Sequence, residues 1–167
     1  ITTRLVGSEM CIRDRRNIWV IGNDRQEMIE AQRRINSTGG MRAVCKLSLE
    51  AVQRSIEERR LVEKASQEWR EAPSLIVVDY GMSQKEDFAT VSYIKKQKDL
   101  AGVPLFFMTE VRTKQLDREC YSWGATVVLH KPFSREGIMR IEQTAWQHDV
   151  TKNIFRHIML CLLYTSD

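Results

Sequence analysis

No two cysteines in this chain stand at CxxC spacing. Cys11, Cys45, Cys120 and Cys161 are scattered, so neither a zinc site nor a disulfide framework is indicated. Neither GxxxxGKS/T nor GxGxxG occurs, which counts against a nucleotide-dependent enzyme. Long apolar runs are missing too. The run Ile158 to Tyr164 is far too short to span a bilayer. There is no signal-peptide pattern, so a reducing cytoplasm is the expected setting. Prolines number only 3, and neither a low-complexity linker nor an internal repeat is visible.

The two ends are unusual. "EMCIRD" (Glu9 to Asp14) can be encoded by gag-atg-tgt-ata-aga-gac, and "CLLYTS" (Cys161 to Ser166) by tgt-ctc-tta-tac-aca-tct. The second is the reverse complement of a stretch within and just beyond the first. Both ends therefore read as one DNA element in opposite orientations, and that element resembles a transposon-end adapter used in sequencing libraries. Residues 1–15 and 161–167 are accordingly read as adapter-derived scars and set aside. The expected division is a domain over 16–150, then the start of a linker or helix extension over 151–160, truncated. The set-aside ends carry three basic and three acidic residues, so the remainder keeps the net charge of +4. That charge is interleaved with acids, as in "EERRLVEKASQEWRE", which suits a solvated helix face better than a nucleic-acid patch.

What remains is long enough for one domain with its own core. Short apolar runs alternate with segments of helical period. "NIWVIGND" reads as a strand and turn, and Met28, Ala31 and Ile35 mark a helix that Gly39-Gly40 stops. "MRAVCKLS" is a second strand, with Ser48 as the cap of a helix starting at Leu49. Its stripe is Leu49, Val52 and Ile56, and it resumes in another phase at Val62, Ala65 and Trp69. An extended or broken helix is expected there. "SLIVVDY" is the third strand, with Phe88, Val91 and Ile94 on the helix that follows. "VPLFFMTE" is the fourth, followed by Leu116, Cys120 and Trp123. "ATVVLHKPF" is the fifth, followed by Ile138, Ile141 and Ala145. Five β-α units with short connections imply a doubly wound α/β fold around a five-stranded parallel sheet.

In "LIVVDYGM", four apolar residues lead directly to Asp79. Such a run suits a strand covered on both faces. Its carboxyl end lies on the rim where open α/β sheets build sites. Asp79 is therefore either a site carboxylate or the cap of the next turn. Other strands end in Asn23-Asp24, in Thr109 and in Lys131-Pro132. In a parallel sheet these ends share one edge, so carboxylates, a hydroxyl and an ammonium would meet there. His130 reads as a rim residue, and His148 and His157 as solvated. Cys120 reads as core. Trp69, Trp123 and Trp146 read as packing or partner-surface residues.

Over roughly residues 17–148 the chain resembles the CheY-like receiver domains of two-component response regulators. "VVD" with Asp79, "FFMT" with Thr109 and "GATVVLHKPF" with Lys131 and Pro132 carry the resemblance. Thr109 follows Asp79 by 30 residues and Lys131 follows it by 52, as in that family. The resemblance implies a regulatory domain rather than an enzyme, accepting a phosphoryl group on Asp79 from a histidine kinase or phosphotransfer protein. A carboxylate can serve as such a nucleophile. Magnesium (Mg2+) would offset the repulsion between the two anions. Its implied ligands are Asp24, Asn23, Asp79 and the Gly81 carbonyl. Lys131 and Thr109 would contact the phosphoryl oxygens, beside a cis Lys131–Pro132 bond. The resemblance also implies a possible homodimer through the fourth and fifth helices, no membrane contact, and nucleic-acid binding only through a missing output domain.

The sequence departs from the family pattern in places. Gly22 and Asn23 stand where two acids are usual, which weakens the expected magnesium site. Glu110 replaces a small residue, Val128 replaces the switching aromatic, and Ser83 replaces a proline. The stretch from Asn23 to Asp79 is longer than usual. These departures favour a second reading, a degenerate receiver acting as a phosphorylation-independent interaction module. A third is a flavodoxin-like enzyme or small-ligand binder sharing the architecture alone.

Overall fold

The computed structural model describes residues 15–66 and 72–165. Residues 1–14 of the segment read as an adapter scar over 1–15, Trp69 and the side chains of Val62 and Ala65 lie outside the described residues. In chain order the elements are β1 (Arg16–Ile21), α1 (Arg25–Asn36), β2 (Met41–Lys46), α2 (Leu49–Ser66), β3 (Leu75–Asp79), α3 (Tyr80–Lys85), α4 (Ala89–Lys96), β4 (Leu105–Thr109), α5 (Lys114–Ser122), β5 (Val127–His130) and α6 (Arg135–Thr165).

The sheet is parallel, five-stranded and ordered β2-β1-β3-β4-β5. Strand order reverses between β1 and β3, so the crevice at their carboxyl ends is the switch point of the fold. The uninterrupted apolar strands β3 and β4 are buried at every residue, as strands covered on both faces must be. Alternate strand residues feed two cores. Ile18, Val20, Val77 and Phe106 pack against Met28 and Ile35 of α1 and Ile141 of α6. Trp19, Ile76, Val78 and Phe107 pack against Val52 and Ile56 of α2, Val91 of α4 and Cys120 of α5.

Local chemistry sets the element ends. Asp24 caps α1 by accepting the Gln26 and Glu27 N–H groups at 3.0 and 3.3 Å. Ser48 Oγ accepts the Ala51 N–H at 3.2 Å as α2 begins. Gly39, beyond α1, and Gly124, beyond α5, take φ of +79° and +88°, a region closed to most side chains. The extended second helix is present as a continuous α2. The sequence reading expected a turn after Asp79. Instead a short helix, α3, begins at Tyr80. It is separated from α4 by Asp87 and Phe88, at φ +54° and +56°. Two successive non-glycine residues in that region cost about 1–2 kcal/mol each. The Phe88 side chain offsets part of this. It is buried and stacked on Trp123, just beyond α5, with centroids 4.9 Å apart, and meets Tyr80 and Phe107 edge-on.

At the opposite edge, Asp149 of α6 accepts the Ser74 hydroxyl at 2.9 Å. Beyond it α6 runs unbroken through 151–160 and into the residues read as adapter-derived, exposed along 151–164. No helix among the described residues is long and apolar enough to cross a membrane.

Phe107 is fully buried, with both Tyr80 and Phe88 against its ring. Phe107→Ala is expected to cost about 3–5 kcal/mol, read from the urea midpoint. A loss below about 1 kcal/mol would contradict this packing.

Candidate functional site at the sheet rim

β3 delivers Asp79 to the switch point with its side chain 10% exposed. Both carboxylate oxygens are engaged. Oδ2 accepts the Met82 N–H at 3.1 Å, capping α3, and Oδ1 accepts from Lys131 Nζ at 2.8 Å. Ser83 Oγ donates to the Asp79 carbonyl at 2.9 Å. Asp79 therefore caps α3 with one oxygen and meets the Lys131 ammonium with the other.

Lys131 follows β5. Its backbone N–H donates to the Thr109 carbonyl at 2.9 Å, which ties it to the end of β4. The Lys131–Pro132 peptide bond is cis. The ammonium makes a second contact that the sequence reading missed, to Glu27 Oε2 at 2.9 Å. Burial disfavours the ammonium, but hydrogen bonds to Asp79 and Glu27 outweigh that and hold its pKa above the ordinary lysine value. One signal pointed to Glu27. It stands three residues after the cap Asp24, the spacing of a capping box, which puts it in the first turn of a helix rising from the same rim.

Asn23, Asp24, Asp79, Gly81, Thr109 and Lys131 line one open cavity of about 680 Å³. Pro132 lines a neighbouring cavity. The Thr109 side chain is turned to its own chain, with Oγ1 donating to the Val111 carbonyl at 2.9 Å. Glu110 is exposed and lines both cavities.

Magnesium takes hard oxygen donors, commonly one or two carboxylates with water and phosphate completing the shell. Asp79, Asp24, the Asn23 amide and the Gly81 carbonyl are donors of that kind. At Gly22 there is no third carboxylate, and a methionine tip stands where a side chain would begin. A Cβ added to Gly22 would lie 2.6 Å from Met28 Cε and 3.4 Å from Asp79 Cβ, so the tip of Met28 fills that place. Among the described residues no three His, Cys, Asp or Glu side chains form a metal-holding group. Asp24 commits Oδ1 to its own helix. By donor chemistry alone these residues suit a cation with two carboxylates at most and water completing its shell.

Tyr80 is the second residue that sequence reasoning passed over. Its side chain is buried in the aromatic cluster, and its hydroxyl donates to Glu119 Oε2 of α5 at 2.7 Å. It therefore links the residue next to Asp79 with α5. Val128, at the place of the switching aromatic, is buried in the core. Cys120 is core as expected, His130 is exposed at the rim, and Trp146 is exposed.

No protein-family model matches the chain, and no curated protein matches it. Solved structures do. A two-component response regulator from Legionella pneumophila superposes with a TM-score of 0.65 at 13% identity, covering 80% of this chain and 99% of that one. The chemotaxis protein CheY4 of Vibrio cholerae gives 0.61 at 14% identity, over 78% and 98%. A chain described as a candidate pilus assembly protein from Burkholderia thailandensis gives 0.58 at 18% identity, over 79% and 98%.

Burial, with the hydrogen bond and charge of Glu119 behind it, pushes the Tyr80 phenol up to about 12. The unfolded phenol ionises near pH 10. The raised value contributes stability in full below about pH 10, lost as pH rises toward 12. A phenolate absorbance titration is expected to show one tyrosine ionising near pH 12, absent from Tyr80→Phe. Titration of every tyrosine near pH 10 would contradict the buried Tyr80–Glu119 contact. The sheet order, the parallel register and these superpositions together give this chain the CheY-like receiver fold.

Proposed function

We propose that the chain is a receiver domain that accepts a phosphoryl group on Asp79. The observation that carries this reading is the Lys131 ammonium on Asp79 Oδ1, at the switch-point rim of a receiver fold. The donor is a phosphohistidine of a histidine kinase or phosphotransfer protein. A carboxylate oxygen of Asp79 forms the new bond to phosphorus. The phosphorus–nitrogen bond breaks, and the imidazole leaves with the electron pair and takes up a proton.

Lys131 stabilises charge on the phosphoryl oxygens. Thr109 contributes a hydrogen bond once its hydroxyl turns from Val111. A magnesium ion held by Asp79 and Asp24, with Asn23 and Gly81 beside it, would supply further positive charge. The product adds about −1.5 to −2 charge at Asp79. That charge shifts the balance between two conformations and so the affinity for a partner or output domain. The Tyr80–Glu119 contact offers one route from Asp79 to α5. A second copy pairing through α5 and α6 belongs to the same proposal, and exposed Tyr121 and Trp146 lie on those helices.

One observation favours the interaction module without phosphate control. Met28 occupies the place beside Asp79 where a further acid would stand, which leaves fewer cation ligands.

Intact-protein mass after incubation with acetyl phosphate and magnesium separates the two readings. One phosphate-mass gain is expected, absent from Asp79→Asn and from the metal-free sample. A folded protein with no gain would overturn the phosphoacceptor reading in favour of the interaction module.

A further inference from the structure

Glu27 has no part in the phosphoryl-transfer chemistry set out above, yet it holds the ammonium that chemistry uses. Its Oε2 lies 2.9 Å from Lys131 Nζ, while Asp79 Oδ1 lies 2.8 Å from the same atom. Two carboxylates share one ammonium, so the trio is net negative before any anion arrives. A phosphoryl group would add charge of the same sign at a few ångströms, where repulsion is strong in a partly buried rim.

Of the two carboxylates, Glu27 is the one able to leave. Asp79 ends a buried strand and is held a second time by the Met82 N–H. Its side chain is 10% exposed against 32% for Glu27. Glu27 sits at the end of a long side chain on the first turn of α1, and its carboxylate is bonded to Lys131. It also lines both rim cavities. The second cavity, about 450 Å³, lies toward Arg34 and Phe133. A displaced Glu27 side chain therefore has open space and solvent beside it.

We propose that Glu27 is a positioning residue that competes for Lys131: its carboxylate occupies the ammonium in the resting protein and is displaced toward the neighbouring cavity when a phosphoryl group arrives at Asp79. This rests on Asp79 being the phosphoacceptor. It makes Glu27 a brake set by charge, one that slows acceptance and favours loss of the anion.

The test compares the wild-type chain with Glu27→Gln, which keeps the shape and hydrogen-bonding reach of the side chain and removes its charge. Far-UV circular dichroism checks that both are folded. Two quantities are read: the rate of acetyl phosphate labelling across a magnesium series, and the affinity for inorganic phosphate in metal-free buffer by titration calorimetry. Glu27→Gln is expected to label about three- to tenfold faster and to bind phosphate tighter by a similar factor, with both differences shrinking at high salt. If both proteins label and the two rates and affinities agree, the competition is overturned and the phosphoacceptor reading stands. Slower labelling of Glu27→Gln with a higher magnesium requirement also overturns it, making Glu27 a helper of the cation instead. If neither protein labels but Glu27→Gln binds phosphate tighter, Glu27 does compete for Lys131 and it is the phosphoacceptor reading that fails.

Discussion

Lys131 carries its positive charge to a rim where its side chain is 14% exposed. A charge withdrawn from water to that degree is favoured by partners of opposite sign. The partners come from two different elements, Asp79 from the end of β3 and Glu27 from the first turn of α1. The Lys131 backbone is itself bonded to the end of β4. One ammonium thus ties together the carboxyl edges on both sides of the switch point. Site geometry and local charge balance both depend on it.

The same edge is coupled to the far side of the sheet through aromatic packing. Tyr80 follows Asp79 directly, and its ring meets Phe88 and Phe107 while its hydroxyl reaches Glu119. Phe88 is held in a left-handed backbone conformation and stacked on Trp123. Asp79 therefore adjoins a segment whose backbone is strained and whose side chains bear on α5. Strain of this kind is kept in place by its surroundings, and here those surroundings are the aromatic cluster.

Much of this was legible along the chain because strands buried on both faces announce themselves as unbroken apolar runs. "LIVVD" and "LFFMT" ended where β3 and β4 end, and the residues closing the strands pointed to a shared rim. Asn23, Asp24, Asp79, Gly81, Thr109 and Lys131 do line one cavity. The short helix after Asp79 was not legible, because six residues carry too little periodicity to separate a helical turn from a loop. Glu27 was passed over because its partner lies 104 residues away, and an acid in a first helical turn is ordinary by its local chemistry. The filling of the Gly22 site by Met28 was equally out of reach, since a methionine at helical spacing reads only as core.

The sequence by itself determined the order of elements, the parallel sheet and the edge on which the polar residues gather. Those follow from periodicity and from a chain direction common to all the strands, both of which are local. Tertiary structure alone decided which charges pair, which oxygen of Asp79 caps a helix and which meets Lys131, and that a thioether fills the place beside Gly22. Those outcomes depend on side-chain reach across elements far apart in the chain, to within an ångström, and no local pattern carries that information.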